Sequence, residues 1–104
     1  MQPTILHPPR VAWDGALALI AAARADDATF GWCRDRLGAI LGSAAARAFE
    51  TTRRRVIDPT AAPTEAQLQM GLWRVRLDDA QHGDPNVGRD VHNLTIEVVR
   101  RVQH

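Results

Sequence analysis

The sequence contains no lysine and no tyrosine, and only one of its 104 residues is a cysteine. A single cysteine excludes an intramolecular disulfide and a structural zinc site built on several thiolates. The simplest interpretation is a reducing compartment, so we expect a cytoplasmic protein. No apolar run approaches the roughly 18 residues of a membrane-spanning helix, and we therefore expect no membrane partner.

The sequence also has almost no excess of positive over negative charge. All thirteen basic residues are arginine, twelve residues are acidic, and the formal net charge is +1. Alanine and arginine in place of lysine and tyrosine are typical of a GC-rich bacterial coding sequence. A net charge this close to zero does not indicate binding to nucleic acid or to an acidic membrane. The 45% hydrophobic content is that of an ordinary globular domain, and the length fits one domain.

Apolar residues recur at three- and four-residue steps in most of the chain, which predicts an all-α fold, a small bundle of four to five helices. The helical segments are 11–25, 28–56, 64–81 and 85–102. Two points stay open. The second segment is one long helix or breaks in two at Gly42, where glycine favours a helix end. Residues 94–102 are rich in β-branched side chains, so a C-terminal strand is the alternative to a helix there.

Prolines divide the chain. Three of them lie in residues 1–10, which predicts an extended, Pro-rich N-terminal arm before a single helical domain at 11–104. Residues 58–63 hold two more prolines and are read as a linker inside that domain. Asp84 followed by Pro85 predicts the start of the last helix, because aspartate is a preferred N-cap and proline a preferred first helical residue.

The predicted helices carry more apolar surface than the core of one small domain readily buries. Residues 68–77 carry two neighbouring apolar stripes, and the chain has three tryptophans, a residue enriched at interfaces. We therefore predict a non-enzymatic protein–protein interaction module, an accessory or structural subunit of a homo-oligomer or of a larger assembly. The residues expected at the interface are Ile5, Leu6, Trp32, Met70 and Trp73.

A small helix-turn-helix-like DNA-binding regulator is the alternative function. Gly42 would form the turn between two short helices, and the second helix carries Arg47, Arg53, Arg54 and Arg55, which could contact phosphates or guanine edges. The surrounding residues 27–58 hold six arginines against four acidic residues, a small excess of positive charge.

Three patterns resemble chemical sites. His82, Asp84, Asp90 and His92 could supply metal ligands, Asp78 and His82 share a helix face, and Cys33 is a thiol. Each has a simpler interpretation. The four metal-ligand candidates lie in a turn that connects two helices, Asp78 and His82 form a helix-stabilising pair, and Cys33 is a buried apolar residue. We therefore assign no catalytic, metal or cofactor residue and expect no enzyme activity and no cofactor.

Overall fold

The computed structural model describes residues 6–103, and these residues form five α-helices and no strand. The expected all-α bundle is confirmed over this range, and residues 94–102 lie in a helix instead of the alternative strand. The helices are α1 Pro8–Ala23, α2 Asp27–Leu41, α3 Ser43–Ile57, α4 Glu65–Gly83 and α5 Pro85–Val102.

The first helix begins earlier than the sequence analysis expected. Pro8 and Pro9 occupy the first two positions of α1, so an arm extending to Arg10 is wrong. Proline fits there because the first turn of a helix needs no backbone N–H donor and the ring fixes a helical φ. Leu6, just before the helix, packs against the core. Ile5 lies outside the described residues.

Gly42 separates α2 from α3. Its φ of 101° is a conformation that only glycine adopts readily, and its N–H donates to the Gly38 carbonyl at 2.8 Å. Of the two alternatives left open by the sequence, the chain adopts two helices. The last helix starts as expected, because the Asp84 carboxylate accepts a hydrogen bond from the Asn86 N–H at 2.9 Å.

The core forms around α1, which packs against each of the other four helices and most extensively against α4 and α5. Its inward face is built from small residues. A Cβ atom at Gly15 would lie 2.8 Å from Leu77 Cδ1 and 2.9 Å from Val91 Cγ1, both in buried side chains. The absence of a side chain at Gly15 therefore lets α4 and α5 approach α1 closely. The fully buried alanines of α1 are Ala12, Ala16, Ala22 and Ala23.

Substitution of Gly15 by alanine should destabilise the protein. The added methyl group overpacks a closed core, which typically costs about 1–3 kcal/mol. The matched control is Gly71→Ala in α4, where no atom lies within 4 Å of the new Cβ. That variant should gain about 0.5–1 kcal/mol from helix propensity alone. Urea unfolding followed by circular dichroism measures both, and equal midpoints for the two variants would contradict the packing account.

Candidate interaction surface

Trp73 is the largest fully buried side chain, with 1% of its surface exposed. Its ring meets Phe49 edge-on at 5.8 Å between centroids, and Phe49 stacks on Phe30 at 5.0 Å. The prediction that Trp73 forms part of an interface is therefore corrected, because α4 turns the stripe containing Trp73 and Leu77 inward. The neighbouring stripe faces outward instead.

A chain of polar contacts fixes Trp73 between α3 and α4. The indole N–H donates to Thr52 Oγ1 at 2.7 Å, and the Thr52 hydroxyl lies 3.1 Å from Gln69 Oε1. The Gln69 amide donates to Glu65 Oε1 at 3.1 Å, and Glu65 also lies 3.8 Å from an Arg55 guanidinium nitrogen. The buried indole N–H, the Thr52 hydroxyl and the Gln69 amide are therefore all hydrogen-bonded, as buried polar groups generally are.

Replacement of Thr52 by valine tests this arrangement. Valine keeps the shape of threonine but leaves the Trp73 N–H without its acceptor, so we expect a loss of about 1–3 kcal/mol in the free energy of unfolding. The control is Thr51→Val on the exposed side of α3, whose expected effect is within about 0.5 kcal/mol. Chemical denaturation of both variants distinguishes the two effects, and a neutral Thr52→Val would contradict the role assigned to the hydroxyl.

Trp32 is half-buried and is covered by arginines of its own chain. The Arg101 guanidinium lies 3.9 Å from the centre of the ring, and that of Arg36 lies 5.9 Å away. Arg36 also forms an ion pair with Glu97 at 3.2 Å. Trp32 thus contributes to the contact between α2 and α5. Only the part of its side chain that remains exposed is accessible to a partner.

Several large apolar residues on α1 and α5 are exposed, and they were not among the predicted interface residues. Their side chains line a groove of about 700 Å³ between these two helices. We call this surface the α1–α5 groove and define it by Leu17, Ala21, Ile96, Val99 and Val102. The fractional exposures of its large residues are 46% for Leu17, 38% for Ile96, 42% for Val99 and 43% for Val102.

An apolar series on α1 in the sequence corresponds to one wall of this groove, but periodicity alone does not show whether that series is buried or exposed. Trp13, Leu17 and Ala21 recur every four residues on α1, beside a second apolar series formed by the small residues. A helix with apolar residues all round is expected to be buried on every side. In the structure, α1 buries its other faces and leaves this stripe at the surface, where Trp13 remains 41% exposed under the guanidinium of Arg74.

The apolar surface continues across α1 towards α4. Leu17 and Ala21 also line a crevice of about 300 Å³ between α1 and α4, and Met70 forms its opposite wall. Met70 was predicted at the interface, and it lies partly buried at this margin. The apolar surface thus runs without interruption from Met70 across α1 to Val102 on α5.

A second apolar surface follows the outer side of α4. It consists of Leu68, Leu72 and Val75, which are 59%, 49% and 53% exposed, and we call it the α4 ridge. These residues form the outward stripe of the two recognised in the sequence. Leu72 lies towards α3, where it borders Thr51 and Arg55. The ridge is therefore a surface separate from the α1–α5 groove.

Three of the four arginines expected to contact DNA have partners within the fold. Arg53 Nη1 donates to the carbonyls of Ala23 and Ala25 at 3.2 and 2.9 Å, and Nη2 donates to Asp27 at 2.7 Å. Its guanidinium also lies 4.7 Å from the centre of the Phe30 ring. Arg53 is thus a structural residue that ties the end of α1 to the start of α2.

The remaining three arginines of the DNA-binding alternative do not form one face with Arg53. Successive helical residues point in different directions, so the run Arg53–Arg55 divides among several contacts. Arg55 pairs with Glu65, Arg54 donates to the Thr51 hydroxyl at 3.2 Å, and Arg47 is exposed. The consecutive arginines therefore do not present a single basic surface.

The patterns that resembled chemical sites have structural partners. Across the described part of the chain, no three His, Cys, Asp or Glu residues cluster as metal ligands would. His82 Nδ1 lies 2.8 Å from the Asp78 backbone carbonyl oxygen, and Asp84 caps α5. Cys33 is buried, and this burial raises the pKa of its thiol to about 12.

The Cys33 thiol should consequently be unreactive in the folded protein. At pH 8 a thiol with this pKa is almost entirely protonated, and thiolate is the reactive form. We expect modification by an aromatic disulfide reagent to be roughly a hundredfold slower than for a free thiol, and to become fast in denaturing urea. Rapid labelling of the folded protein in a spectrophotometric assay would contradict this assignment.

Comparison with known proteins supplies no relative: no family model, no curated protein and no solved structure matches this chain. None of the helices between residues 6 and 103 has the length and apolar character needed to cross a membrane. The properties of the groove and the ridge themselves are therefore the basis for a function.

Proposed function

We propose that this protein is a non-enzymatic protein–protein interaction module, an accessory or structural subunit of a homo-oligomer or larger assembly, and that it binds its partner in the α1–α5 groove. The observation that carries this proposal is the exposure of four large apolar side chains along one groove between two helices. Contiguous apolar surface of this kind on a small domain is characteristic of an interaction site.

The shape of the groove favours a helix as the bound element. Its walls extend over residues 14–21 of α1 and 92–103 of α5, about 10–16 Å at the helical rise of 1.5 Å per residue. That length accommodates two to three turns of a helix. An amphipathic helix placing residues of its i, i+3, i+4 and i+7 positions into a groove is a common mode of recognition.

Charged side chains at the ends of the groove would set the orientation of the bound helix. Asp14 and His92 line one end, and Arg100 lines the other. Asp14 already forms an ion pair with Arg10 at 3.2 Å, whereas Arg100 makes no ion pair with any residue from 6 to 103. An apolar floor with a basic end suits an amphipathic helix that carries an acidic residue.

The DNA-binding alternative receives less support from the same structure. Arg53 is engaged within the fold, and Arg55 pairs with Glu65 at 3.8 Å although it is exposed, as Arg47 and Arg54 also are. Three exposed arginines, one of them paired with Glu65, on a chain of net charge +1 offer little phosphate neutralisation. We also propose a cytoplasmic location, which the single unpaired Cys33 supports.

Site-specific photo-crosslinking in the native cells tests the proposed function. With a benzophenone amino acid at Ile96, in the groove, we expect a discrete covalent adduct with a protein. The adduct should disappear in the Leu17→Glu background, because a buried carboxylate in the groove opposes apolar binding. Mass spectrometry of the adduct identifies the bound protein, which is either a second copy of this chain or a different protein.

The matched control places the same photo-reactive residue at Asn93, which is exposed on α5 but does not line the groove. Asn93 should give no discrete adduct. Absence of any adduct from Ile96, or adducts of equal yield from both positions, would reject the groove as a binding site.

A further inference from the structure

We infer that the occupant of the α1–α5 groove is the α4 ridge of a second copy of this chain, so that copies associate head to tail. This inference rests on the proposed function of the groove. It links two exposed apolar surfaces of the described residues, because one is a groove between two helices and the other follows the outer side of a single helix.

The ridge has the form of a helix made to enter a groove. Leu68, Leu72 and Val75 stand at i, i+4 and i+7 on α4, the spacing by which amphipathic helices contact a groove. They extend over about 10 Å of helix, which is also the length of the α1 wall from residue 14 to 21. The three side chains are each about half exposed, so a large part of each is accessible to a second copy.

A molecule cannot place its own ridge in its own groove. The groove lies between α1 and α5, whereas the ridge is on the outer side of α4, with Leu72 turned towards α3. α4 is fixed in the core by Trp73 and Leu77, which are 1% and 0% exposed. The ridge therefore reaches a groove only on another copy.

The charges at the ends of the two surfaces are complementary. Asp79 lies on α4 one turn beyond Val75, on the same side as the ridge, and is exposed. Arg100 lines the end of the groove, and Arg24 follows the last residue of α1, three residues beyond Ala21. None of these three charged residues forms an ion pair with a residue between 6 and 103. A ridge lying parallel to α1 brings Asp79 to the two arginines.

Because the groove and the ridge are different surfaces, the contact is heterologous. Each copy bound through its groove still offers its ridge, so association continues until a ring closes or a chain of copies forms. This differs from a two-fold dimer, in which both copies use the same surface.

Light scattering on two single variants of the full-length protein tests the inference. Leu72→Glu removes the ridge and leaves the groove, and Val99→Glu removes the groove and leaves the ridge. Both positions are nearly half exposed, so the substitutions should preserve the fold, as circular dichroism will verify. The unmodified protein should show a molar mass that rises with concentration, and each variant alone should be a monomer.

The decisive measurement is an equimolar mixture of the two variants. The intact groove of Leu72→Glu should bind the intact ridge of Val99→Glu, and the product should stop at a 1:1 dimer. A mixture that remains monomeric while the unmodified protein associates would overturn the inference, because it would indicate a two-fold contact or another surface.

Charge reversal tests the orientation of the ridge independently. Asp79→Arg or Arg100→Asp alone should weaken association by up to about fivefold, the effect of an exposed ion pair. The two changes together should restore part of it, because the new arginine at position 79 then pairs with the new aspartate at position 100 but still faces Arg24. Asp90→Arg, on an exposed part of α5 outside the groove, is the control and should have no effect. Equal weakening by the control, or no restoration in the double variant, would contradict the parallel arrangement.

The two proposals fail in different ways. If the unmodified protein is monomeric up to millimolar concentration, the head-to-tail inference is wrong. Photo-crosslinking from Ile96 to a different protein would then still support the groove as an interaction site. If Ile96 gives no adduct with any protein, the proposed function itself is wrong.

Discussion

The close approach of α4 and α5 to one face of α1 is the contact on which the rest of the structure depends. It requires that this face be nearly without side chains, as Gly15 and the neighbouring alanines provide. Two helices that approach so closely from either side leave only a narrow outward strip of α1 uncovered. The exposure of Leu17 and the groove beside it are thus consequences of how the core is packed.

The helices α2 and α3 are joined to this centre by aromatic and arginine contacts. The rings of Phe30, Phe49 and Trp73 pack in series, and Arg53 covers Phe30 while donating to the last carbonyls of α1. A planar guanidinium can stack and donate in several directions at once, which an ammonium group cannot. All basic residues of this chain are arginine, and some of them, such as Arg53, bind groups within the fold. Their positive charge is therefore not available to bind a nucleic acid.

The division of apolar residues between core and surface gives the molecule two unlike apolar surfaces. α4 buries Trp73 and exposes Leu72, one residue away, because the helix lies flat against α1 and α3 along a single face. One of these surfaces is a groove between two helices and the other is the outer side of a single helix, and the charges at their ends are opposite. This difference is the reason for proposing an asymmetric contact between copies over a symmetric one.

The sequence by itself predicted the position of most helices, since apolar periodicity and caps such as Asp84 act over a few neighbouring residues, but it left residues 94–102 open between helix and strand. It also indicated two apolar stripes on α4 and a surplus of apolar surface. Only the tertiary structure decided which stripe faces inward, that Gly42 breaks a helix, and that Arg53 is structural. These choices depend on contacts between residues distant in the chain, such as that of Trp73 with Thr52, and such contacts leave no mark on local spacing.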